Sequence, residues 1–286
     1  MRIAFNDMWS HKRRLAGSMI AIVLGVAFLS GTLLLGDTLK ANFDKLFTTA
    51  NGSTDVILRG STQIGSDVRQ SRSGVDASLA TVARDTPGVA DAEPYVQGDG
   101  QLVGGNGKRV GGNGPPTTAA NWVGVPSLNP YRIVDGHAPQ ADDEVVINRG
   151  AAKTGKLHLG DTTTLLTPTP VRVHIVGIAT FGTADGSGTA TFTGMTLPAA
   201  QRYLTDNPAK VSQILIKTAP GVDRGTVIAG LQPRLPAGVQ AITGQDLADE
   251  NINDINKGFL GFLRSGLTGF AVVALLVAVF RIENVL

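Results

Sequence analysis

Two long apolar runs bracket a polar middle. Leu15 to Leu35 holds twenty-one consecutive positions without a charge. As a helix that run is roughly 32 Å long, which matches the hydrocarbon thickness of a bilayer. Phe259 to Phe280 adds twenty-two residues with one charge, Arg264. Arg264 lies near the start of the run, where an arginine side chain reaches the membrane interface. The pattern predicts a cytoplasmic N-terminus at 1–14, a transmembrane helix at 15–35, an extracytoplasmic domain at 36–257, a second span at 258–281 and a cytoplasmic tail at 282–286.

Between the runs the periodicity changes repeatedly. Leu39, Phe43, Leu46 and Phe47 recur at helical spacing, so 37–48 reads as an outward stalk on the first span. Strands are expected at 53–59, at 89–103 with a break near Pro94, at 122–125, in the run 142–148, and at 211–217 and 239–242. Val171, Val173 and Ile175 alternate with Arg172, His174 and Val176, so 162–166 and 171–178 predict a hairpin with His174 on its exposed face. Helices are expected at 76–84 with Asp76 as N-cap, at 149–156, at 198–204 behind Pro198, and at 223–231. Residues 61–73 read as a polar loop, 104–116 as a flexible glycine-rich loop and 131–139 as a turn-rich segment. Gln245 to Lys257 reads as a polar helix leading to the second span. The fold class that results is a mixed α/β (α+β) domain inserted between two membrane helices.

Charge sets the orientation. Arg2, Lys12, Arg13 and Arg14 against Asp7 give the first fourteen residues a net of +3, which holds that end in the cytoplasm. A cleaved signal peptide is the rival reading, but the run is longer than a signal core and no A-x-A-like site follows it. Residues 36–257 carry 19 Lys and Arg against 21 Asp and Glu, so the basic balance of the chain resides in its ends. That excludes a nucleic-acid footprint. The absence of cysteine excludes disulfides and a cysteine-linked lipid anchor.

Small residues recur at four-residue spacing in both spans: Gly17, Ala21 and Gly25 in the first, Gly261, Ser265 and Gly269 in the second. Such a face lets another helix backbone approach closely, although glycine is also common in membrane helices without that role.

The sequence offers no catalytic, metal or cofactor constellation. His11, His137, His158 and His174 are scattered without ligand spacing. Asp142-Asp143-Glu144 reads as a solvated turn rather than a cation site. Gly107-Lys108 is followed by Arg109, and Leu102 stands where a phosphate loop needs its first glycine, so 104–116 is no nucleotide cradle. No nucleophile elbow is present. A non-enzymatic chain is expected.

The segment from Gly136 to Leu166, followed by Val171 to Ile178, resembles the centre of the MacB-type periplasmic core domain of FtsX-like ABC-transporter permeases, particularly the large actinobacterial kind. The matching positions are Asp135-Gly136, Glu144-Val145-Val146-Ile147, Ala151-Ala152, Leu159-Gly160-Asp161 and Val176-Gly177-Ile178. They read as turn and strand positions. The resemblance implies a permease subunit in the cell membrane whose ATP is hydrolysed by a separate cytoplasmic ABC ATPase. It also implies a second permease half or a homodimer partner. Members of this kind continue through further spans, so a chain ending Arg281 to Leu286 is expected to be a truncated or split subunit. An extracytoplasmic binding or sensor module that recruits an envelope partner without transport is the alternative.

Overall fold

The computed structural model describes residues 53–64, 71–112, 116–186, 190–205, 207 and 209–250, with the isolated helical positions Ser30, Gly31, Leu34, Asn253, Ser265 and Gly266. The rest of both predicted spans, and the incoming stalk, lie outside the described residues. Among the described residues no helix is long and apolar enough to cross a membrane. The chain divides into two units, Met1–Lys45 and Leu46–Leu286, and the described strands all belong to the second.

In chain order the elements begin with β1 (Val56–Gly60), β2 (Gln63–Ile64), β3 (Ser71–Arg72), β4 (Val75–Asp76), α1 (Leu79–Arg84), β5 (Val89–Tyr95), β6 (Gln97–Asp99) and β7 (Gln101–Leu102). They continue with β8 (Thr117–Asn121), β9 (Tyr131–Gly136), β10 (Glu144–Asn148), α2 (Arg149–Gly155), β11 (Thr162–Leu166), β12 (Val171–Phe181) and β13 (Thr191–Met195). The last are α3 (Leu197–Leu204), β14 (Lys210–Val211), β15 (Gln213–Thr218), α4 (Arg224–Leu231) and β16 (Val239–Thr243), after which residues 244–250 are helical.

Two sheets carry the architecture. The first has the order β16-β1-β15-β5 and is antiparallel throughout. Alternation sorts its side chains. Val56, Leu58, Ile214 and Ile216 join the main core with Leu79, Ala83, Val227 and Leu231 of α1 and α4. Ile57 and Leu215 face the other way, into a small second core with Val123 and Leu128.

The second sheet has the order β6-β8-β13-β10-β12-β11-β7, with β9 also on β12. Its two outer strands are consecutive in the chain. The segment through them bonds first to β8, where Gly100 N–H donates to Thr117 O at 3.1 Å, and then to β11, where Val103 N–H donates to Thr164 O at 2.9 Å. The strand path therefore closes on itself as a barrel and leaves few edges to protect.

The chain passes between the sheets at Val96, where the buried Asn121 side chain replaces the ladder. Its Oδ1 accepts from Val96 N–H at 2.7 Å and its Nδ2 donates to Pro94 O at 3.1 Å.

The mixed α/β class, the 162–181 hairpin and the helices at 149–155, 197–204 and 224–231 agree with the sequence reading. Asp223 caps α4, its carboxylate accepting from Thr226 N–H at 3.0 Å. Several expectations are corrected. Asp76 is no N-cap: it sits in β4 opposite Lys210, and its Oδ1 accepts from Ser78 N and Oγ in an Asx turn that closes before α1 starts. β5 runs through Pro94, which an outer strand tolerates because it has a partner on one side only. The loop 61–73 contains the short β2–β3 ladder. The glycine-rich stretch is exposed over most of 104–112 but anchored: Gly105 N–H donates to Gly155 O at 2.8 Å, and Val110 is buried.

The strand expected at 122–125 is instead β8, four residues or so earlier, paired parallel to a β13 that the sequence pattern does not predict. β13 is buried at every position, so it shows no alternation. The turn-rich 131–139 opens as β9, because the long β12 presents an edge beyond the end of β11.

At that edge Gly136 and Gly177 stand opposite each other. Gly136 has φ 77°, and a Cβ there would lie 2.1 Å from Val176 O and 3.0 Å from Gly177 Cα. The two backbones approach too closely for any side chain.

Candidate functional site where the chain joins the domain

The first and last strands of the domain are neighbours. Val56 of β1 pairs with Thr243 of β16, and Gly244 N–H donates to Asp55 O at 3.0 Å. The chain therefore arrives and departs at one end of the first sheet.

The arriving end is fixed by the Asp55 carboxylate, whose residue is 5% exposed. Its Oδ1 accepts from Arg224 Nη2 at 2.9 Å and Nε at 3.2 Å. Its Oδ2 accepts from Thr218 N–H and Oγ1 at 3.1 Å each and faces Lys217 Nζ at 3.1 Å. Burial pushes the Asp55 carboxyl up, but the Lys217 and Thr218 bonds outweigh it and hold it below its ordinary range.

The departing end is a helix opened by a capping box. Thr243 N–H donates to Asp246 Oδ2 at 3.0 Å, and Asp246 N–H donates to Thr243 Oγ1 at 3.0 Å. One turn on, Leu247 packs against the second core and Ala248 is buried. Glu250 then makes the outermost contact. Its Oε1 lies 2.6 Å from Arg59 Nη2, and its Oε2 lies 3.3 Å from Arg72 Nη2.

Arg59 is 4% exposed and shares the β1 face of Ile57. The Gln240 amide, with its oxygen turned toward the guanidinium, accepts from Arg59 Nε at 3.0 Å and Nη2 at 3.1 Å. Arg72 also donates to Ser61 O at 3.3 Å. The Arg59 hydrogen bond is the main cause that lowers the Glu250 carboxyl from its ordinary value.

Sequence reasoning missed this cluster. Arg59 closing the apolar run Val56-Ile57-Leu58 was the available signal: a strand charge on a core-facing position needs a partner. Nothing local pointed to Glu250.

The small-residue candidates Gly17, Ala21, Gly25, Gly261 and Gly269 lie outside the described residues; Ser265 is helical and exposed. His137 follows β9, His158 lies between α2 and β11, and His174 is on β12. His174 is half-buried rather than exposed, since it stands beside Glu144 on the parallel β10. Among the described residues no group of His, Asp and Glu could hold a metal ion. Asp142-Asp143-Glu144 is occupied with the fold. Asp142 meets Arg202 at 2.8 Å, and Glu144 Oε2 accepts from Gln140 N–H at 2.7 Å and Ala141 N–H at 3.2 Å.

The model of the MacB-like periplasmic core domain matches residues 15–234. This chain belongs to that family. Its MacB-like fold is shared with the periplasmic region of MacB from Actinobacillus actinomycetemcomitans, at 13% identity and a TM-score of 0.50 over 72% of this chain and 96% of that one. The extracellular domain of the noncanonic ABC-type transporter YknZ from Gram-positive bacteria aligns at 10% identity and a TM-score of 0.42, over 66% of this chain and 98% of that one. The macrolide export ATP-binding/permease protein MacB of Bdellovibrio bacteriovorus is 27% identical over 101 residues, which is 34% of this chain and 16% of that protein. The MacB-like core positions quoted from the sequence fall on β9, β10, α2 and β12 and on the turn before β11, including the close Gly136–Gly177 pair.

Proposed function

We propose that the chain is a permease-type subunit of an ABC transporter. Its segments 15–35 and 258–281 span the cell membrane, and 36–257 lie outside the cytoplasm. Membership of the MacB-like family supports a permease-type role. The observation that carries the mechanical part is the Asp55–Gly244 hydrogen bond: a displacement of either flanking segment reaches the same end of the same sheet.

In this reading a separate cytoplasmic ABC ATPase closes on ATP and shifts the spans. The outgoing helix and β1 then move the domain. Gly17, Ala21, Gly25, Gly261, Ser265 and Gly269 line the helix faces that meet a second permease half or a second copy. The cargo is a lipid, a peptide or a similar envelope substrate.

The test is purification of the tagged full chain in mild detergent. Retention of an ABC ATPase, whose ATP hydrolysis changes when the chain is present, supports the reading. Retention of an exported envelope protein with no ATPase replaces it with the sensor-module alternative.

A further inference from the structure

The two attachments differ in kind. The Asp55 carboxylate is buried, and its partners Lys217, Thr218 and Arg224 lie on β15 and α4, so the carboxylate stays satisfied whatever the outgoing helix does. Glu250 is 44% exposed and sits on that helix, whereas its partner Arg59 is buried on the sheet. Lifting the helix would take the carboxylate from Arg59 and open its face of β1 to water, so the guanidinium then relies on water and on any neighbouring acceptor. Gln240, on the adjacent β16, supplies one: with its amide oxygen turned toward the guanidinium, it accepts from Arg59 Nε and Nη2. Glu250 also holds Arg72 on β3, so one carboxylate ties the helix to the β2–β3 hairpin as well.

We infer that Arg59, Glu250, Arg72 and Gln240 form a reversible latch. In the closed state Glu250 docks the outgoing helix on β1 and on the hairpin. In the open state the helix lifts away, Arg59 rests on Gln240, and the hairpin is released. The latch rests on the permease reading only for what pulls the helix; its existence is testable without ATP.

The test is amide hydrogen exchange on the full chain in detergent or nanodiscs. Glu250→Gln keeps the shape and removes the charge. The expected result is exchange about tenfold faster in 244–250 and in the β2–β3 hairpin, with β1 and β15 unchanged. Unchanged exchange in 244–250, or an equal rise across the whole sheet, would overturn the latch. Gln240→Leu with Glu250 intact separates a latch from a static brace. Opening would then leave Arg59 to water with no protein acceptor, so 244–250 is expected to stay at least as protected as in the parent chain; a loss of protection there would overturn the proposal. With the ATPase partner bound, ATP is expected to reproduce the Glu250→Gln pattern. If Glu250→Gln opens the latch and ATP does not, the latch stands and the permease reading fails.

Discussion

The amide of Gly244 donates to the carbonyl of Asp55 at 3.0 Å, so the first residue of the outgoing helix is bonded to the last residue before the first strand. This bond makes the domain a loop closed at its base. Two carboxylates with different surroundings bracket β1 along its length: Asp55 precedes its first residue, and Glu250 pairs with Arg59 near its last.

Asp55→Asn keeps the volume and removes the charge that Lys217 and Arg224 face. Those partners are 30% and 49% exposed, so water screens part of the loss. The expected destabilisation is about 2 kcal/mol, or a fall in Tm of about 6 °C. Calorimetry on the isolated variant and parent checks this.

Acid acts through Asp55 and Glu250 together with Asp76, Glu144 and Asp185, whose carboxyls are also lowered by their hydrogen bonds. Both carboxyls are lowered in the folded state, from 3.8 for Asp55 and 4.5 for Glu250. Their contribution is therefore complete above those ordinary values and is lost as the pH falls through the depressed ones. Stability should stay level from neutrality to about pH 5 and decline below it. The Asp55→Asn, Glu250→Gln double variant should show a flatter decline when Tm is followed across that range.

The Gly136–Gly177 contact is expected to reject any side chain. In Gly177→Ala the new Cβ would lie 2.5 Å from His137 O and 2.9 Å from Val146 Cγ2, and in Gly136→Ala 2.1 Å from Val176 O. Each should cost about 2–4 kcal/mol in chemical denaturation. Gly124→Ala meets nothing within 4 Å and should change stability by no more than about 0.5 kcal/mol.

Leu128 is fully buried under the outgoing helix, in the core that holds Ile57, Val123 and Leu215. Leu128→Ala should cost about 2–4 kcal/mol, while Leu128→Met should cost under about 1.5 kcal/mol. Denaturant midpoints at constant m-value measure both.

Elements that announce themselves locally were legible in the sequence. The alternation of Val171, Val173 and Ile175 marked β12, and Pro198 and Asp223 marked two helix starts. β13 escaped because burial on both faces erases alternation, and β9 because Gly136 and Pro139 around it read as turn signals. Asp76 misled because an Asx turn and an N-cap use the same residue type. The barrel closure and the Arg59–Glu250 contact join residues far apart in the chain, which no window of local pattern contains. Of the candidate site, the polar helix from Gln245 was read, while its start one residue earlier on the Thr243–Asp246 capping box and the ion pairs beyond it were not.

The chain contains no cysteine, so a single one can report where the domain lies. Lys108 is exposed on the turn between Val103 and Arg109. In intact cells expressing the full chain with Lys108→Cys, a membrane-impermeant maleimide should label the protein as fully as it does after lysis. Labelling only after lysis would put the domain in the cytoplasm and contradict the account.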